Sequence, residues 1–483
     1  MSSARTLRRV WGTTRRRLHV LGLMARRGPA LRWRRLQREL AAGTVPEGYA
    51  QKVGELLSAA DDAWDAGRVR TAAFRLEEAL TSVFHPALHF GARAALAEDP
   101  DTLLAPLRAS VTYRALTRAE PRAEPSPTPT RRRLRLLVVS YGGWTFAQPI
   151  VDAYRQQADV EVRTLDLADL PDPRWQPLQH DLVHGRLAGT SRARLPRDLR
   201  AALDGADVIL VEWGHRQAAW VSQLPALRAR VVVRLHSYEA FTLMPQVTDW
   251  SAVSDVVFVA PPIRALAEAT VPGLDRPRRH TVPNLTELEQ YRRPKTAAAR
   301  RTMALIGWNT VNKDPAWALD VLDRLLVTDP EWRLLLVGHD LPDGGGEDPR
   351  YTAAVAARIE ALGSRVVRTG FRDDIPEVLR DVGVVLSASR REGTHESLIQ
   401  GAASGALPVV RDWPAVARWG GPRSLFPDEW VVPDPAASAA RILTADSDPR
   451  LARDAQHWAL SHLDAAAVWP RLDAVLRGRV ERS

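Results

Sequence analysis

Lysine is scarce in this chain, and one lysine stands where a helix is predicted to begin. The three lysines are Lys52, Lys295 and Lys313, and arginine provides most of the positive charge. Lys313 is followed by Asp314 and Pro315, which are favourable capping and first-turn residues, and then by a helical pattern. A lysine beside a helix N-terminus is suited to bind a phosphate group; the alternative is a solvated surface charge.

A second group of polar residues precedes another helical pattern. It consists of Glu392, Gly393, Thr394, His395 and Glu396. Small residues and free backbone donors before a helix suit a phosphate group or sugar hydroxyls. The alternatives are that Glu392 only interacts with the helix dipole and that Glu396 is only a capping partner.

Glycines, aromatic residues and polar residues also follow several short apolar runs. His236 and Glu239 come after one such run, and a nearby carboxylate often orients a histidine. Ligands of open parallel α/β sheets bind beyond the carboxyl ends of the strands, so these positions predict a cleft. The alternatives are ordinary glycine turns, core tryptophans and a structural histidine. The other strand-end groups are Gly142, Gly143 and Trp144; Trp213, Gly214 and His215; Gly307, Trp308 and Asn309; and Gly338, His339 and Asp340.

The apolar runs alternate with helical patterns, which is typical of parallel sheets joined by right-handed crossovers. Their number favours two sheets, with a seam near residues 283 to 296. The predicted strands are Leu134 to Val139, Val208 to Val211, Val231 to Leu235, Val256 to Ala260, Met303 to Ile306, Leu334 to Val337, Val366 to Arg368, Val384 to Ser387 and Leu407 to Val410.

Five segments follow from these patterns. Residues 1–40 are predicted to be a basic amphipathic tail, residues 41–118 a small helical domain and residues 119–133 a proline-rich linker. Residues 134–290 form the first sheet domain, and residues 291–483 form the second, whose final helices pack back on the first. The helical domain either docks or dimerises, or it simply packs against its neighbour.

Composition excludes several classes of protein. The chain has no cysteine, which excludes disulfides, zinc-thiolate sites and cysteine nucleophiles and favours a reducing cytosol. The sequence from His180 to His184 imitates a zinc-binding helix, but Asp181 stands in place of the glutamate and no third ligand is evident, so no metal is expected. No apolar run is long enough to span a bilayer.

The net charge of +10 is concentrated in residues 1–40, which hold twelve arginines and one acidic residue. The rest of the chain is close to neutral, which argues against a nucleic-acid partner. Arginine clusters interspersed with leucine and tryptophan suit an anionic membrane surface, and the alternative is a solvated tail. We therefore expect a cytoplasmic protein, peripheral at the inner face of the membrane if the tail binds lipid.

Residues 281–410 resemble the retaining glycosyltransferases of family 4, which have the GT-B fold of two Rossmann-like domains facing a cleft. The phrase TVPNL at 281–285 resembles the hinge signature of that family. ALIGWNTVNKDPAWALDVL resembles its glycine turn, lysine and helix, with Lys313 in the place of the lysine. VVRTGFRDDIPEVLRDVGVVLSASRREGTHESLIQGAASGALPVV resembles the remaining donor-domain signatures.

The resemblance implies roles for individual residues. Lys313 would offset the charge of a donor diphosphate, Glu392 and His236 would position the transferred sugar, and Gln400 would hold the ribose. Further donor-binding residues implied are Gly307, Trp308, Asn309, Arg372, Gly393, Thr394, His395 and Glu396. The acceptor-side residues implied are Gly142, Gly143, Trp144, Trp213 and Glu239.

Two positions depart from the family pattern. The family usually has two glutamates eight positions apart; the second is Gln400 here, whose amide can still hydrogen-bond a ribose hydroxyl. The arginine that usually follows the glycine of the lysine motif is missing, because Trp308 and Asn309 stand there.

The sequence therefore predicts a retaining glycosyltransferase that acts in glycan or cell-surface polysaccharide biosynthesis. It would move a sugar from a nucleoside-diphosphate sugar to a carbohydrate or lipid-linked acceptor, with no other cofactor. The alternative is a catalytically silent GT-B module that binds sugar nucleotides or serves as a scaffold.

Overall fold

The computed structural model describes residues 29–42, 45–91, 93–119, 133–170, 178–189, 195–341 and 348–479. Most of the predicted linker and residues 1–28 of the predicted tail lie outside these residues. Within these described residues, seven helices precede the first strand. They are α1 (Pro29–Ala41), α2 (Tyr49–Asp65), α3 (Val69–Val83), α4 (Pro86–His89), α5 (Ala95–Glu98), α6 (Pro100–Ala109) and α7 (Val111–Thr117).

The first sheet has six parallel strands in the order β2-β1-β3-β4-β5-β6. Its central strands are buried along their whole length because helices cover both faces of the sheet. The strands are β1 (Leu134–Ser140), β2 (Val160–Asp166), β3 (Val208–Val211), β4 (Arg230–Leu235), β5 (Asp255–Phe258) and β6 (Arg278–Thr281). The helices are α8 (Gln148–Arg155), α9 (Gln179–Ala188), α10 (Arg197–Asp204), α11 (Arg216–Ser222), α12 (Met244–Val247) and α13 (Pro261–Thr270).

The second sheet also has six parallel strands, in the order β12-β11-β10-β7-β8-β9. The strands are β7 (Thr302–Ile306), β8 (Arg333–Val337), β9 (Val366–Gly370), β10 (Val384–Ser387), β11 (Leu407–Arg411) and β12 (Val431–Val432). The helices are α14 (Pro315–Thr328), α15 (Pro349–Leu362), α16 (Ile375–Val378), α17 (Glu396–Ala403), α18 (Pro435–Ser447), α19 (Arg450–Leu463) and α20 (Ala465–Leu476). The predicted fold class, two parallel-sheet domains preceded by helices, is confirmed.

The last helix returns to the first sheet. Val468 and Leu472 of α20 share one hydrophobic cluster with Val138 of β1 and Val208 of β3. Arg230 of β4 also donates hydrogen bonds to the main-chain carbonyls of residues 475 and 476. The first sheet domain is therefore completed by the last described helix of the chain.

Strand prediction succeeded in the sheet centres and failed at three of the four sheet edges. All nine predicted runs are strands, with ends shifted by at most two residues. The runs missed are β2 and β6, at the two edges of the first sheet, and the two-residue β12, at an edge of the second. β6 reads Arg-Arg-His-Thr and is only partly buried, so it carries no apolar signal.

The folded part of the chain begins before residue 41. Helix α1 covers residues 29–41, and its Leu36 and Leu40 are fully buried in the same hydrophobic cluster as Leu57 of α2 and Leu80 of α3. The predicted 1–40 tail therefore ends earlier than expected, because α1 presents an apolar stripe to α2 and α3 between its arginines.

Leu40→Ala is expected to lower the free energy of unfolding by about 2–5 kcal/mol, because it leaves a cavity in a closely packed cluster. Val327→Ala is the matched control, since Val327 is 89% exposed and its loss should cost less than about 0.5 kcal/mol. Urea unfolding followed by circular dichroism measures both. Equal stability of Leu40→Ala and the wild type would contradict the assignment of α1 to the folded helical domain.

Candidate active site

A cavity of about 530 Å³ lies where the carboxyl ends of the two sheets face each other. The first sheet domain lines it with Phe146, Trp213, His236, Ser237, Tyr238 and Val259, and Asn284 comes from the connection between the domains. The second domain contributes Thr310, Asn312, Lys313, Arg391, Glu392, Gly393, Thr394, His395, Glu396, Ser397 and Gln400. Phe90 comes from the helical domain. The cavity therefore brings nine predicted site residues together: Trp213, His236, Lys313, Glu392, Gly393, Thr394, His395, Glu396 and Gln400.

An ion pair between Lys313 and Glu392 forms one wall of this cavity. Lys313 Nζ lies 2.6 Å from Glu392 Oε1, and the Ser389 hydroxyl donates to the same oxygen at 2.6 Å. Burial alone would raise the pKa of Glu392, but Lys313 and the other donors hold it at about 2. Glu392 is therefore ionised at neutral pH, and the lysine that the sequence singled out is charge-compensated while no anion is bound.

The lysine is positioned by the start of α14, although not by a side-chain cap. Asp314 occupies the capping position with a φ of +44° and its side chain makes no capping hydrogen bond. Its carboxylate accepts instead from Tyr351 Oη at 2.7 Å and from Arg411 at 2.5 Å. These contacts hold the turn in a conformation that costs an ordinary residue about 1–2 kcal/mol.

The N-terminus of α17 points its first residues into the cavity. His395 is buried, has a φ of +61°, and its Nε2 has no hydrogen-bond partner. Burial lowers the pKa of His395 to about 4, so the ring is neutral at pH 7. Glu396 contacts the Thr286 hydroxyl through Oε2, and its Oε1 has no partner. Burial raises the pKa of Glu396. Two polar groups are thus left for a ligand beside a helix N-terminus.

His236 stands on the opposite wall, where it contacts two aromatic rings that also contact each other. The centroids of Phe146 and Trp213 lie 4.9 Å and 4.2 Å from its ring centroid. Its Nε2 lies 2.8 Å from Glu212 Oε1, so the buried carboxylate of Glu212 accepts a hydrogen bond and Nδ1 remains for a ligand.

The carboxylate that orients His236 is Glu212 rather than the predicted Glu239. Glu239 is buried and accepts from the main-chain N–H groups of residues 214 and 236 at 3.2 and 3.0 Å, so it supports the loop. Burial would raise the pKa of Glu212, but the Arg234 guanidinium, with His236, holds it below the usual range. The sequence signal for Glu212 is its place as a charged residue at the end of the apolar run VILVE.

The two sheet domains touch across the floor of the cleft. Arg234 donates to Asn284 Oδ1 at 2.7 Å, and the Asn284 N–H donates to Thr394 Oγ1 at 3.2 Å. Thr394 in turn donates to the carbonyl of Val259 at 3.1 Å. A Cβ on Gly393 would lie 3.1 Å from the Val259 side chain, so this close approach favours glycine.

The predicted acceptor loop lies beside the cavity rather than on its wall. Gly142 has a φ of +77° and its N–H donates to Asp166, whose carboxylate also accepts from Trp144 Nε1 at 2.7 Å. The carbonyl of Gly143 accepts from Trp213 Nε1 at 3.0 Å. Gly143 therefore supports Trp213, Gly142 and Trp144 bind Asp166, and only Trp213 of this group lines the cavity.

Four predicted donor-binding residues do not line the cavity. Trp308 is 2% exposed and packs in the hydrophobic core with Met303 and Trp317, so its ring is not available to a ligand. Asn309 is exposed, and Arg372 pairs with Asp374 at the surface. Gly307 has a φ of +74° and lies beside the Lys313 side chain.

No group of three or more metal-ligating side chains occurs in the described residues, and His180 instead contacts Glu77 of α3 at 2.8 Å. None of the described helices is long and apolar enough to cross a membrane. Besides Glu212, sequence reasoning missed Phe90, which belongs to a segment with no local pattern of a binding site. It also missed Asn312 and Arg391, which directly precede Lys313 and Glu392 in the chain.

Two parallel-sheet domains that enclose a cavity between their carboxyl ends define a protein of the GT-B fold. The glycosyltransferase from Rickettsia africae ESF-5 is similar, with a TM-score of 0.53, 13% identity, and coverage of 73% of this chain and 100% of that one. Anabaena Alr3699/HepE in complex with UDP and glucose has a TM-score of 0.51 at 15% identity, covering 71% and 100%. Sucrose-phosphate synthase from Thermosynechococcus elongatus has a TM-score of 0.52 at 15% identity, covering 72% and 99%.

Residues 300–448 match the family model described as Glycosyl transferases group 1. The chain is 25% identical over 278 residues to the GDP-mannose:cellobiosyl-diphosphopolyprenol alpha-mannosyltransferase of Xanthomonas campestris. This match covers 54% of this chain and 71% of the Xanthomonas protein. The chain is a glycosyltransferase of the GT-B fold, as the resemblance predicted, and these relatives favour an enzyme over a silent module.

The ionised state of Glu392 predicts a pH-dependent contribution to stability. Because its pKa is about 2 in the folded chain and near 4.5 when unfolded, the contribution is present above pH 4.5 and is lost as the pH falls towards 2. The stability difference between the wild type and Glu392→Gln should therefore shrink by about 2 kcal/mol between pH 5 and pH 3.

Urea unfolding at both pH values measures this difference. Glu331→Gln is the control, because Glu331 is exposed and lies outside the cavity. A gap for Glu392→Gln that stays constant between pH 5 and pH 3 would contradict the ion pair with Lys313.

Proposed function

We propose that this glycosyltransferase moves a sugar from a nucleoside-diphosphate sugar to a saccharide carried on a lipid, with retention at the anomeric carbon. The observation that carries the proposal is the convergence of Lys313, Glu392 and the N-terminus of α17 in one cavity between the two sheet domains. Sugar transfer develops negative charge on the departing diphosphate, and such groups stabilise it without forming a covalent bond.

Lys313 is the cation proposed to bind that diphosphate. The Lys313 side chain is 25% exposed and lines the cavity, while the side chain of its present partner Glu392 is 13% exposed. A diphosphate that enters the cavity competes for the ammonium, which leaves Glu392 to accept hydroxyls of the transferred sugar. Gln400 lies on the same wall, where its amide is suited to a ribose hydroxyl.

The opposite wall is proposed to receive the acceptor. It is mostly aromatic, with Trp213 and Tyr238 beside His236, and aromatic faces stack well on sugar rings. The similarity to the Xanthomonas mannosyltransferases supports a lipid-linked acceptor and makes GDP-mannose the first donor to try. Closure of the two domains around both substrates would exclude water and limit hydrolysis of the donor.

A lipid-linked acceptor places the reaction at a membrane surface. We therefore propose that the chain works in the cytoplasm and is held at the inner face of the membrane by its arginine-rich segment. Residues 1–28 contain eight arginines and no acidic residue. Juxtamembrane arginines each contribute about 1 kcal/mol of attraction to anionic lipid.

A nucleoside diphosphate is expected to raise the melting temperature of the full chain. UDP, GDP, ADP, CDP and dTDP are compared, each in large excess; a ligand at 100 times its dissociation constant adds about 2.7 kcal/mol of stability. This stabilisation should shift the midpoint by several degrees. Lys313→Ala should abolish the shift, whereas Lys52→Ala should retain it, because Lys52 lies in α2 away from the cavity.

The nucleotide that shifts the midpoint identifies the donor class, and transfer is then assayed by release of that nucleotide from its sugars, beginning with GDP-mannose. Absence of a shift with all five nucleotides, from a cooperatively folded sample, would refute the proposed function. A shift without turnover on any lipid-linked acceptor would leave a sugar-nucleotide-binding module instead.

Membrane binding is expected to depend on residues 1–28. Two kinds of vesicle are used, one of phosphatidylcholine alone and one in which about 30% of the lipid is phosphatidylglycerol. Each is sedimented with the full chain and with a variant that begins at residue 29 and therefore keeps α1. The full chain should sediment with the anionic vesicles at low salt, and the variant should not. Equal sedimentation of the full chain and the variant with the anionic vesicles would contradict membrane binding through residues 1–28.

A further inference from the structure

Arg391 is a buried arginine of the cavity wall that has no acidic partner. It is 4% exposed, and no carboxylate of the described residues lies within ion-pair distance of its guanidinium. Buried charged groups are rarely left unpaired, because desolvation of a charge is costly. Lys313, the other cation of the wall, is paired with Glu392. Arg391 is therefore the cation whose anion is missing from the described residues.

Two aromatic rings and a main-chain carbonyl stabilise the guanidinium in place of a carboxylate. Its carbon lies 4.9 Å from the ring centroid of Phe90 and 4.3 Å from that of Phe241. Arg391 also donates to the carbonyl of His89 at 2.8 Å. Cation–π contacts of this kind keep the charge but neutralise none of it. Burial lowers the pKa of Arg391 only to about 10, so the side chain is protonated at neutral pH.

The helical domain fixes the loop that provides Phe90 and the His89 carbonyl. His89 is fully buried, its Nδ1 accepts from the Leu96 N–H at 3.4 Å and its Nε2 faces the Val83 carbonyl at 2.8 Å. Because Nδ1 is the acceptor, Nε2 carries the hydrogen and donates to Val83. Burial lowers the pKa of His89 to about 4, so this neutral arrangement persists at pH 7.

Further contacts tie the helical domain to both sheet domains around this loop. Tyr113 of α7 donates to Gln246 of α12 at 2.6 Å. On the other side, Trp419 donates to the carbonyl of Ala97 at 2.9 Å. The position of Phe90 relative to Arg391 is therefore held from both sides of the cleft.

We propose that Arg391 binds a phosphate group of a substrate in the cleft and that the helical domain holds Arg391 in position through Phe90 and the carbonyl of His89. The proposal rests on the proposed function, since the cavity is the same. A guanidinium presents paired donors that match phosphate oxygens, and Phe90 and Arg391 line the cavity together with Lys313. The helical domain, which lies outside the matched family region, thereby becomes part of the binding site.

The phosphate has two possible sources, the diphosphate of the donor and the diphosphate of a lipid-linked acceptor. Two ligand pairs distinguish them by isothermal titration calorimetry on the full chain. The first pair is GDP, or whichever nucleoside diphosphate gives the largest melting shift, and its nucleoside. The second pair is farnesyl diphosphate and farnesol, which reproduce the lipid diphosphate of an acceptor.

Arg391→Gln is expected to weaken the affinity for the phosphorylated ligand of one pair by roughly tenfold to a hundredfold, because charge-assisted hydrogen bonds to the phosphate are lost. The nucleoside or farnesol should bind as before. Weakening of GDP assigns Arg391 to the donor, and weakening of farnesyl diphosphate assigns it to the acceptor; either supports the proposal. Arg391→Lys keeps the charge and should recover part of the affinity.

Phe90→Ala tests whether the helical domain positions Arg391. It is expected to weaken the affinity for the same phosphorylated ligand by roughly threefold to tenfold. Leu57→Ala is the matched control, since Leu57 is buried in α2 of the helical domain and does not line the cavity. Unchanged affinity in Phe90→Ala, or an equal loss in Leu57→Ala, overturns the positioning role of the helical domain.

Three outcomes would overturn the phosphate contact itself. In the first, Arg391→Gln binds both phosphorylated ligands as tightly as the wild type. In the second, Arg391→Gln loses phosphorylated and unphosphorylated ligands equally, which indicates a disrupted cavity and a purely structural arginine. In the third, the wild type binds neither diphosphate, which refutes the proposed function as well and so is distinguishable from the first two.

Discussion

The buried ion pair of Glu212 and Arg234 is the interaction on which the cleft depends. Both side chains are completely inaccessible to solvent and lie 2.9 Å apart. Removing two charges from water costs several kcal/mol each, so such a pair depends on further hydrogen bonds to both groups. Here the carboxylate also holds His236, and the guanidinium also holds Asn284 and the carbonyl of Phe146. One ion pair thus orients a residue of the first domain and fixes the connection to the second.

The cleft is built by three parts of the chain. The sheets place polar loops at their carboxyl ends, as parallel α/β sheets generally do, and this explains how Lys313 and His236 come to face one cavity. The helical domain adds Phe90 by packing on both sheet domains at once. Its hydrophobic cluster is continuous with that of the first sheet, so it is a fixed wall of the cleft in this structure.

The sequence was most informative where local pattern decides structure. Central strands were predictable because both faces are buried, and strand-end residues followed from the strands. The edge strand β6 was not predictable, since its residues are polar and only partly buried and the strand pairs with one neighbouring strand. The unpaired state of Arg391 and the core position of Trp308 depend on which segments meet in space. The burial of the leucines in α1 was not predictable either, because arginines surround them in the sequence.

The return of α20 to the first sheet has a consequence for synthesis on the ribosome. Val138 of β1 shares a hydrophobic cluster with Val468 and Leu472, which are translated more than three hundred residues later. A domain usually folds as its own residues emerge, from the N-terminus onwards. In this chain the first sheet has an incomplete apolar face throughout translation of the second domain. The part of that face covered by α20 is therefore left uncovered until residues 465–476 have been synthesised.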